Sequence, residues 1–119
     1  MMNTTRDLVT VAPVGGIITI DGALGDVFAY LSLAANASVV VKNVAPGKTV
    51  KFIVSTGPGG PHVLSEEGGA SKVQDLRFMG GQTEFGPAGA SETAMYDIVG
   101  VSATVAYVSC GASLTKPPA

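Results

Sequence analysis

The sequence predicts an all-β, single-domain protein, built as a β-sandwich or a jelly-roll-like barrel of about eight short strands with extended N- and C-terminal arms. Two observations lead to this class. Gly and Pro account for 16 and 7 of the 119 residues, and they separate short runs rich in Val, Ile, Thr, Tyr and Phe. This is the pattern of short strands joined by turns. The chain length suits one hydrophobic core.

Eight segments have the composition of strands, because each is short, rich in β-branched or aromatic residues, and bounded by turn residues. Eight strands at this spacing favour a sandwich or a barrel over a helical fold. The predicted strands are residues 8–12, 17–21, 27–33, 38–42, 49–55, 62–65, 93–99 and 103–109.

The strand at residues 49–55 has the clearest alternation. Val50, Phe52 and Val54 fall on one face, as a half-buried strand requires. Lys51 falls on the other face, where Ile53 interrupts the polar pattern. We therefore expect that second face to be partly covered as well.

A tight turn is predicted just before this strand. Pro46 and Gly47 suit the second and third positions of a type II turn, because Pro fixes a negative φ and Gly adopts a positive one. We expect this turn to form a hairpin that joins the strands at residues 38–42 and 49–55.

Strand signals weaken at residues 57–60 and 66–89, where glycine accumulates. A connection of about twenty residues is usually an interaction or functional loop. We read residues 1–14 as an N-terminal arm, residues 15–112 as the sandwich domain and residues 113–119 as a C-terminal tail, because the sequence KPPA does not suit a sheet interior. Such arms often become ordered on a partner.

Charged residues are scarce, at 13% of the chain against 46% apolar residues, whereas an average domain is about 25% charged. We expect other subunits to cover part of this surface, in a homo-oligomer or with another protein. The net charge of −2 argues against nucleic acid as a partner. The apolar stretches are too interrupted for a membrane-spanning helix, and the N-terminus lacks the pattern of a signal peptide, so we expect the protein to stay in the cytoplasm where it is made.

Few residues suggest chemistry. His62 and Cys110 are each the only residue of their type, so neither a zinc site nor a disulfide framework is expected. Asp21 and Asp26 flank the turn GALG, where carboxylates commonly accept backbone N–H groups. A glycosidase pair is the alternative for these two carboxylates.

A second set of acidic residues lies in the first part of the long loop. The adjacent Glu66 and Glu67 are typical of a solvated loop, and together with Asp75 they match no EF-hand spacing. A Ca²⁺ site stays the alternative there. We predict no catalytic residue, no cofactor and no metal.

Phe78, Met79 and Phe85 are the candidate partner-binding residues of the long loop. They lie in the glycine-containing sequences RFMGG and TEFGP. Large apolar groups on an exposed loop suit insertion into a pocket of a neighbouring protein. Equally, these side chains suit a role in closing the open end of the sandwich.

The N-terminal arm supplies the second set of candidates, Leu8, Val9 and Val11. An extended terminal segment of this kind adds a strand to a neighbouring sheet edge through main-chain hydrogen bonds. We therefore expect the arm to tether the protein to a partner.

One long stretch, ITIDGALGDVFAYLSLAANASVVVKNVAPGKTVKFIVST at residues 17–56, resembles a module of tailed-bacteriophage structural proteins. The later parts of the pattern are TGPGG from Thr56, RFMGG from Arg77 and AMYDIVGVSATVAYVS from Ala94. The resemblance extends to about Ser109 and implies a β-sandwich that attaches to a shell, tail or fibre.

The resemblance, together with the lack of a catalytic signature, implies a non-enzymatic virion structural protein. The leading hypothesis is a capsid decoration or cement protein that binds the major capsid protein, or another virion protein, on the capsid surface. The alternative is a tail or head fibre appendage domain that adheres to host-surface glycans. This alternative needs exposed aromatic side chains, and the chain has no Trp and three Tyr, all within predicted strands.

Overall fold

The computed structural model describes residues 8–56, 62–69, 72–79, 85–88 and 92–115. These residues form ten strands and no helix, which confirms the all-β class. The strands are β1 (Leu8–Thr10), β2 (Ile17–Asp21), β3 (Val27–Leu33), β4 (Ala37–Lys42), β5 (Thr49–Thr56), β6 (His62–Glu66), β7 (Asp75–Phe78), β8 (Gly86–Ala88), β9 (Glu92–Ser102) and β10 (Val105–Thr115).

All eight predicted strands are present, and the bounds of β2 and β3 match the prediction at both ends. The prediction of one long loop at residues 66–89 is wrong, because β7 and β8 lie within it. β7 alternates charged and apolar residues but is only four residues long, and β8 is Gly-Pro-Ala, so neither carries an apolar pattern long enough to identify a strand. Pairing with distant strands, rather than local sequence, makes these segments strands.

The ten strands form two sheets. The order is β1-β3-β5-β9-β10-β7 in the six-stranded sheet and β2-β4-β6-β8 in the four-stranded sheet. From β1 to β9 the chain changes sheet at every step, so neighbouring strands in a sheet, apart from β9 and β10, are not consecutive in sequence. Among the described strands, five of the eight pairs are parallel, whereas sandwiches and jelly rolls are usually antiparallel.

The predicted turn before β5 is confirmed, but the predicted hairpin is wrong. Gly47 has a φ of 84°, and the Lys48 N–H donates to the Ala45 carbonyl at 2.9 Å, as a type II turn requires. However, β4 lies in the four-stranded sheet and β5 in the six-stranded one. The segment between them therefore connects the two sheets.

One hydrophobic core receives side chains from both sheets. In β5, Val50, Phe52 and Val54 are fully buried while Lys51 is exposed, as the alternation predicts. The four-stranded sheet contributes the residues of β2 and β4 that point the same way, namely Ile18, Ile20, Val39 and Val41.

Gly100 holds the connection between β4 and β5 against β9. Its carbonyl accepts the Gly47 N–H at 2.9 Å, and its own N–H donates to the Lys48 carbonyl at 2.9 Å. A Cβ atom at Gly100 would lie 2.2 Å from the Val44 carbonyl oxygen. Only glycine permits this approach.

The side chain of Gln74 also holds the β4–β5 connection in place, through hydrogen bonds. Its side chain is buried, and its Oε1 accepts the Val44 N–H at 3.0 Å. Its Nε2 donates to the carbonyls of Val44 and Ser102, each at 3.1 Å. One amide thus links the β4–β5 connection to the end of β9, and its polar atoms are satisfied as burial requires.

Candidate interaction surfaces

Phe85 lies inside the protein and not on an exposed loop, which corrects the position expected from the sequence. Its side chain is 3% exposed. Its ring makes edge contacts with Phe52, Phe78 and Tyr96, at centroid distances of 6.0, 5.1 and 5.1 Å. The Tyr96 hydroxyl donates to the Phe85 carbonyl at 2.8 Å, which fixes the backbone of the segment. The position of Phe85 is that of a side chain closing the core.

Phe78 and Met79 lie at the edge of the six-stranded sheet. Phe78 ends β7 and is half-buried against Phe85, while Met79 is 55% exposed. Together with Arg77 and Tyr107 they line a cleft of about 220 Å³. Tyr107, on the neighbouring strand β10, is 45% exposed. Sequence reasoning missed Tyr107 because its exposure follows from which face of β10 covers the core.

A network of charges borders this cleft. The Lys72 ammonium lies 3.1 Å from the Glu66 carboxylate and 2.6 Å from that of Asp75. The Arg77 guanidinium contacts Asp75 at 2.7 Å. Lys72 and then Arg77 hold the pKa of the Asp75 carboxyl below its ordinary value. Because the Lys72 ammonium contacts the carboxylates of both Glu66 and Asp75, it occupies the position that a cation bound by these two residues would take.

The N-terminal candidates lie in and next to β1, which forms the opposite edge of the six-stranded sheet. β1 pairs with β3 in parallel, and the Val11 N–H donates to the Ala29 carbonyl at 2.9 Å. Leu8 is 51% exposed on the outer face. Val9 and Val11 point inward and pack against the core while remaining partly exposed. The core is therefore incompletely covered at this edge.

The outer face of the four-stranded sheet carries an apolar groove of about 420 Å³. Val14, 81% exposed, and Val73, 50% exposed, are its most exposed apolar side chains. The lining residues are Val14, Ile17, Thr19, Val40, Lys42 and Val73. An apolar groove on an outer sheet face is typical of a surface that binds another protein.

The outer face of the six-stranded sheet is also partly apolar. Ile53 and Met95 are cross-strand neighbours on this face, and Leu31 nearby on β3 is well exposed. Beside them, Lys51 and Asp97 form an ion pair at 2.8 Å. Because the two charges are opposite, this pair adds little net charge to the face. The sequence-based expectation that Ile53 faces a partly covered surface agrees with its intermediate exposure.

Asp21 and Asp26 have structural contacts at the turn that follows β2. Asp21 Oδ1 accepts the Asn43 side-chain amide at 2.8 Å and the Ala23 N–H at 3.0 Å. The hydrogen bond from Asn43, followed by that from Ala23, lowers the pKa of Asp21. Asp26 lies 3.4 Å from the Lys48 ammonium. The predicted role of Asp21 in stabilising the turn is confirmed.

Within the described ranges, no three His, Cys, Asp or Glu side chains come together as metal ligands would. The same residues contain no helix long and apolar enough to cross a membrane. Comparisons with protein-family models, with curated proteins and with solved structures found no match.

Proposed function

We propose that this protein is a non-enzymatic structural module of a tailed-bacteriophage virion that works through protein–protein contacts. The favoured role is a capsid decoration or cement protein, made in the host cytoplasm and bound to the major capsid protein or another virion protein on the capsid surface. In this proposal the two sheets pack as a β-sandwich, and the protein is a homo-oligomer.

The observation that carries the proposal is apolar surface on both outer faces. The groove bordered by Val14 and Val73 lies on one face, and Leu31 with Met95 lies on the other. Charged residues make up only 13% of the whole chain. A stable protein interface buries apolar surface of this kind, with burial worth about 25 cal/mol per Å² before the costs of association. The resemblance of residues 17–56 to phage modules supplies the context.

The proposal is tested by mixing the purified protein with heads of the same virus that lack it and sedimenting the mixture. We expect binding that saturates at a fixed number of copies per head. Leu31→Lys should weaken it, since a charge would then be buried in an apolar contact. Leu24→Lys is the matched control, because Leu24 is similarly exposed but lies in the turn after β2. Absence of binding at any concentration would exclude the decoration role.

A second function is favoured by the cleft at β7, which fits a glycan-binding fibre appendage. Tyr107 offers an exposed aromatic face for stacking on a sugar ring, and Arg77 beside it offers hydrogen-bond donors. Titration with host-surface glycans, followed by NMR, tests this function. Tyr107→Phe should keep the stacking and the binding, whereas Tyr107→Ala should lose both; equal binding by the two variants would exclude the cleft as the site.

A further inference from the structure

We infer that the edge formed by β1 is a self-association surface, on which residues 8–12 of two copies pair antiparallel about a two-fold axis at Thr10. The inference deepens the proposed homo-oligomer and rests on it. It makes the two six-stranded sheets into one continuous sheet.

The other three sheet edges carry features that oppose strand addition. At β7, the Glu66 carboxylate accepts the Leu76 N–H at 2.8 Å, and the flanking residues Asp75 and Arg77 are charged. β8 contains Pro87, which has no N–H to donate. Charges, proline and capped backbone groups are common ways in which proteins protect sheet edges.

At the β2 edge, outward-facing backbone groups near both ends of the strand already have hydrogen-bond partners. The Val14 and Ile17 backbones exchange two hydrogen bonds, at 2.9 and 3.1 Å. The Asp21 carbonyl accepts the Leu24 N–H at 2.9 Å. Thr19, between them, is the remaining residue whose backbone points outward from this edge.

The β1 edge, residues 8–12, has none of these features within its described residues. These residues read LVTVA and contain no charge and no proline, and Pro13 follows directly after them. Because the Val11 N–H is directed at Ala29 of β3, the backbone groups of odd-numbered residues face β3 and those of even-numbered residues face away from it. Leu8, Thr10 and Ala12 therefore direct their N–H and C=O groups outward.

A second copy fits this edge because the edge is complementary to itself. With the axis at Thr10, the two threonines face each other, and Leu8 faces Ala12 of the partner subunit. Each of these pairs exchanges two main-chain hydrogen bonds. On the inner side, Val9 of one copy meets the partner's Val11, so the partly exposed valines that leave the core open at this edge become covered. This is an isologous contact, which closes at two copies.

The mass of the full-length protein in solution, measured by sedimentation equilibrium, tests the inference. We expect a dimer, at twice 11.9 kDa. Thr10→Pro removes an outward N–H without removing a bond to β3, and should raise the dimer dissociation constant about tenfold or more. Thr19→Pro is the matched control, since it makes the same change at the β2 edge, and should leave the dimer intact.

A second variant distinguishes a loss of dimerisation from a loss of folding. Thr10→Lys keeps the N–H but places two ammonium groups opposite each other, so its dimer should weaken at low salt and recover at high salt. A monomeric wild-type protein, or a dimer unaffected by both Thr10 variants, would overturn the inference. Head binding is measured separately: a monomer that still binds heads would leave the proposed function standing, whereas a β1-edge dimer that does not bind heads would overturn only the proposed function.

Discussion

Replacing Gly100 with alanine tests how closely the β4–β5 connection is packed on β9. The added Cβ would lie 2.2 Å from the Val44 carbonyl oxygen and 2.3 Å from that of Ala45, whereas real Cβ atoms essentially never come within 3.0 Å of such atoms. The connection must therefore move by roughly 0.8 Å, the difference between 3.0 and 2.2 Å. Both contacts are with backbone, which does not rotate away as a side chain does.

This movement disturbs the two backbone hydrogen bonds of Gly100 and those that Gln74 makes to Val44. Each is worth about 1 kcal/mol net. Alanine recovers about 0.4–1 kcal/mol by restricting the unfolded chain. We therefore expect Gly100→Ala to lower the free energy of unfolding by about 3 kcal/mol, measured by urea denaturation followed by circular dichroism.

Gly68→Ala is the control for this experiment. A Cβ at Gly68 has no heavy atom within 4 Å, and its φ is not positive. This variant should be unchanged or more stable by up to about 1 kcal/mol. If the two variants have the same stability, the connection accommodates a methyl group, and the close packing inferred for Gly100 is refuted.

Three further changes test the core and the turn. Gln74→Ala should cost about 3 kcal/mol, because two buried backbone groups of Val44 and the partly buried carbonyl of Ser102 lose their partner. The Val44 amide should then exchange with solvent faster in NMR, and an unchanged rate would contradict the role of Gln74. Phe85→Ala should cost about 3–5 kcal/mol in urea denaturation, while Met79→Ala should change stability by less than about 0.5 kcal/mol; similar losses would mean that Phe85 is not a core residue. The lowered pKa of Asp21 means that its stabilising effect is present above the unfolded-state pKa and is lost as the pH falls below about 4. Asp21→Asn should therefore be less stable than wild type at pH 7, and this difference should shrink as the pH falls below about 4; a constant difference would refute this assignment.

The sequence predicted the strands that are defined by local pattern. β2 and β3 each consist mainly of apolar residues between turn residues, so both of their ends could be placed. β7 and β8 could not be predicted, because four residues with two charges and a Gly-Pro-Ala segment acquire strand geometry only by pairing with β10 and β6. Their partners are distant in sequence, and no local signal marks such pairing.

The same limit explains the hairpin that was predicted between β4 and β5. A Pro-Gly turn between two strands is a common hairpin signal, and the turn itself was placed correctly. β4 pairs with β2 in one sheet and β5 pairs with β3 in the other. The residues of the turn contain no information about these pairings, so the turn alone cannot show that the chain changes sheet. Similarly, the sequence around Phe85 is typical of a loop, and only its contacts with Phe52 and Tyr96 place it in the core.

The alternation of the chain between two sheets has a consequence for how the protein folds. Leu8 pairs with Val27 and Ile17 with Ser38, so about twenty residues separate the partners of these parallel pairs. Each pair requires a loop to close before any contact stabilises it, which slows folding. β9 and β10 are joined by a tight turn and form the one local pair among the described strands. We expect folding to begin there, to continue through β5 and β3, and to add β1 last, so that β1 is also the first strand to detach when the folded protein opens.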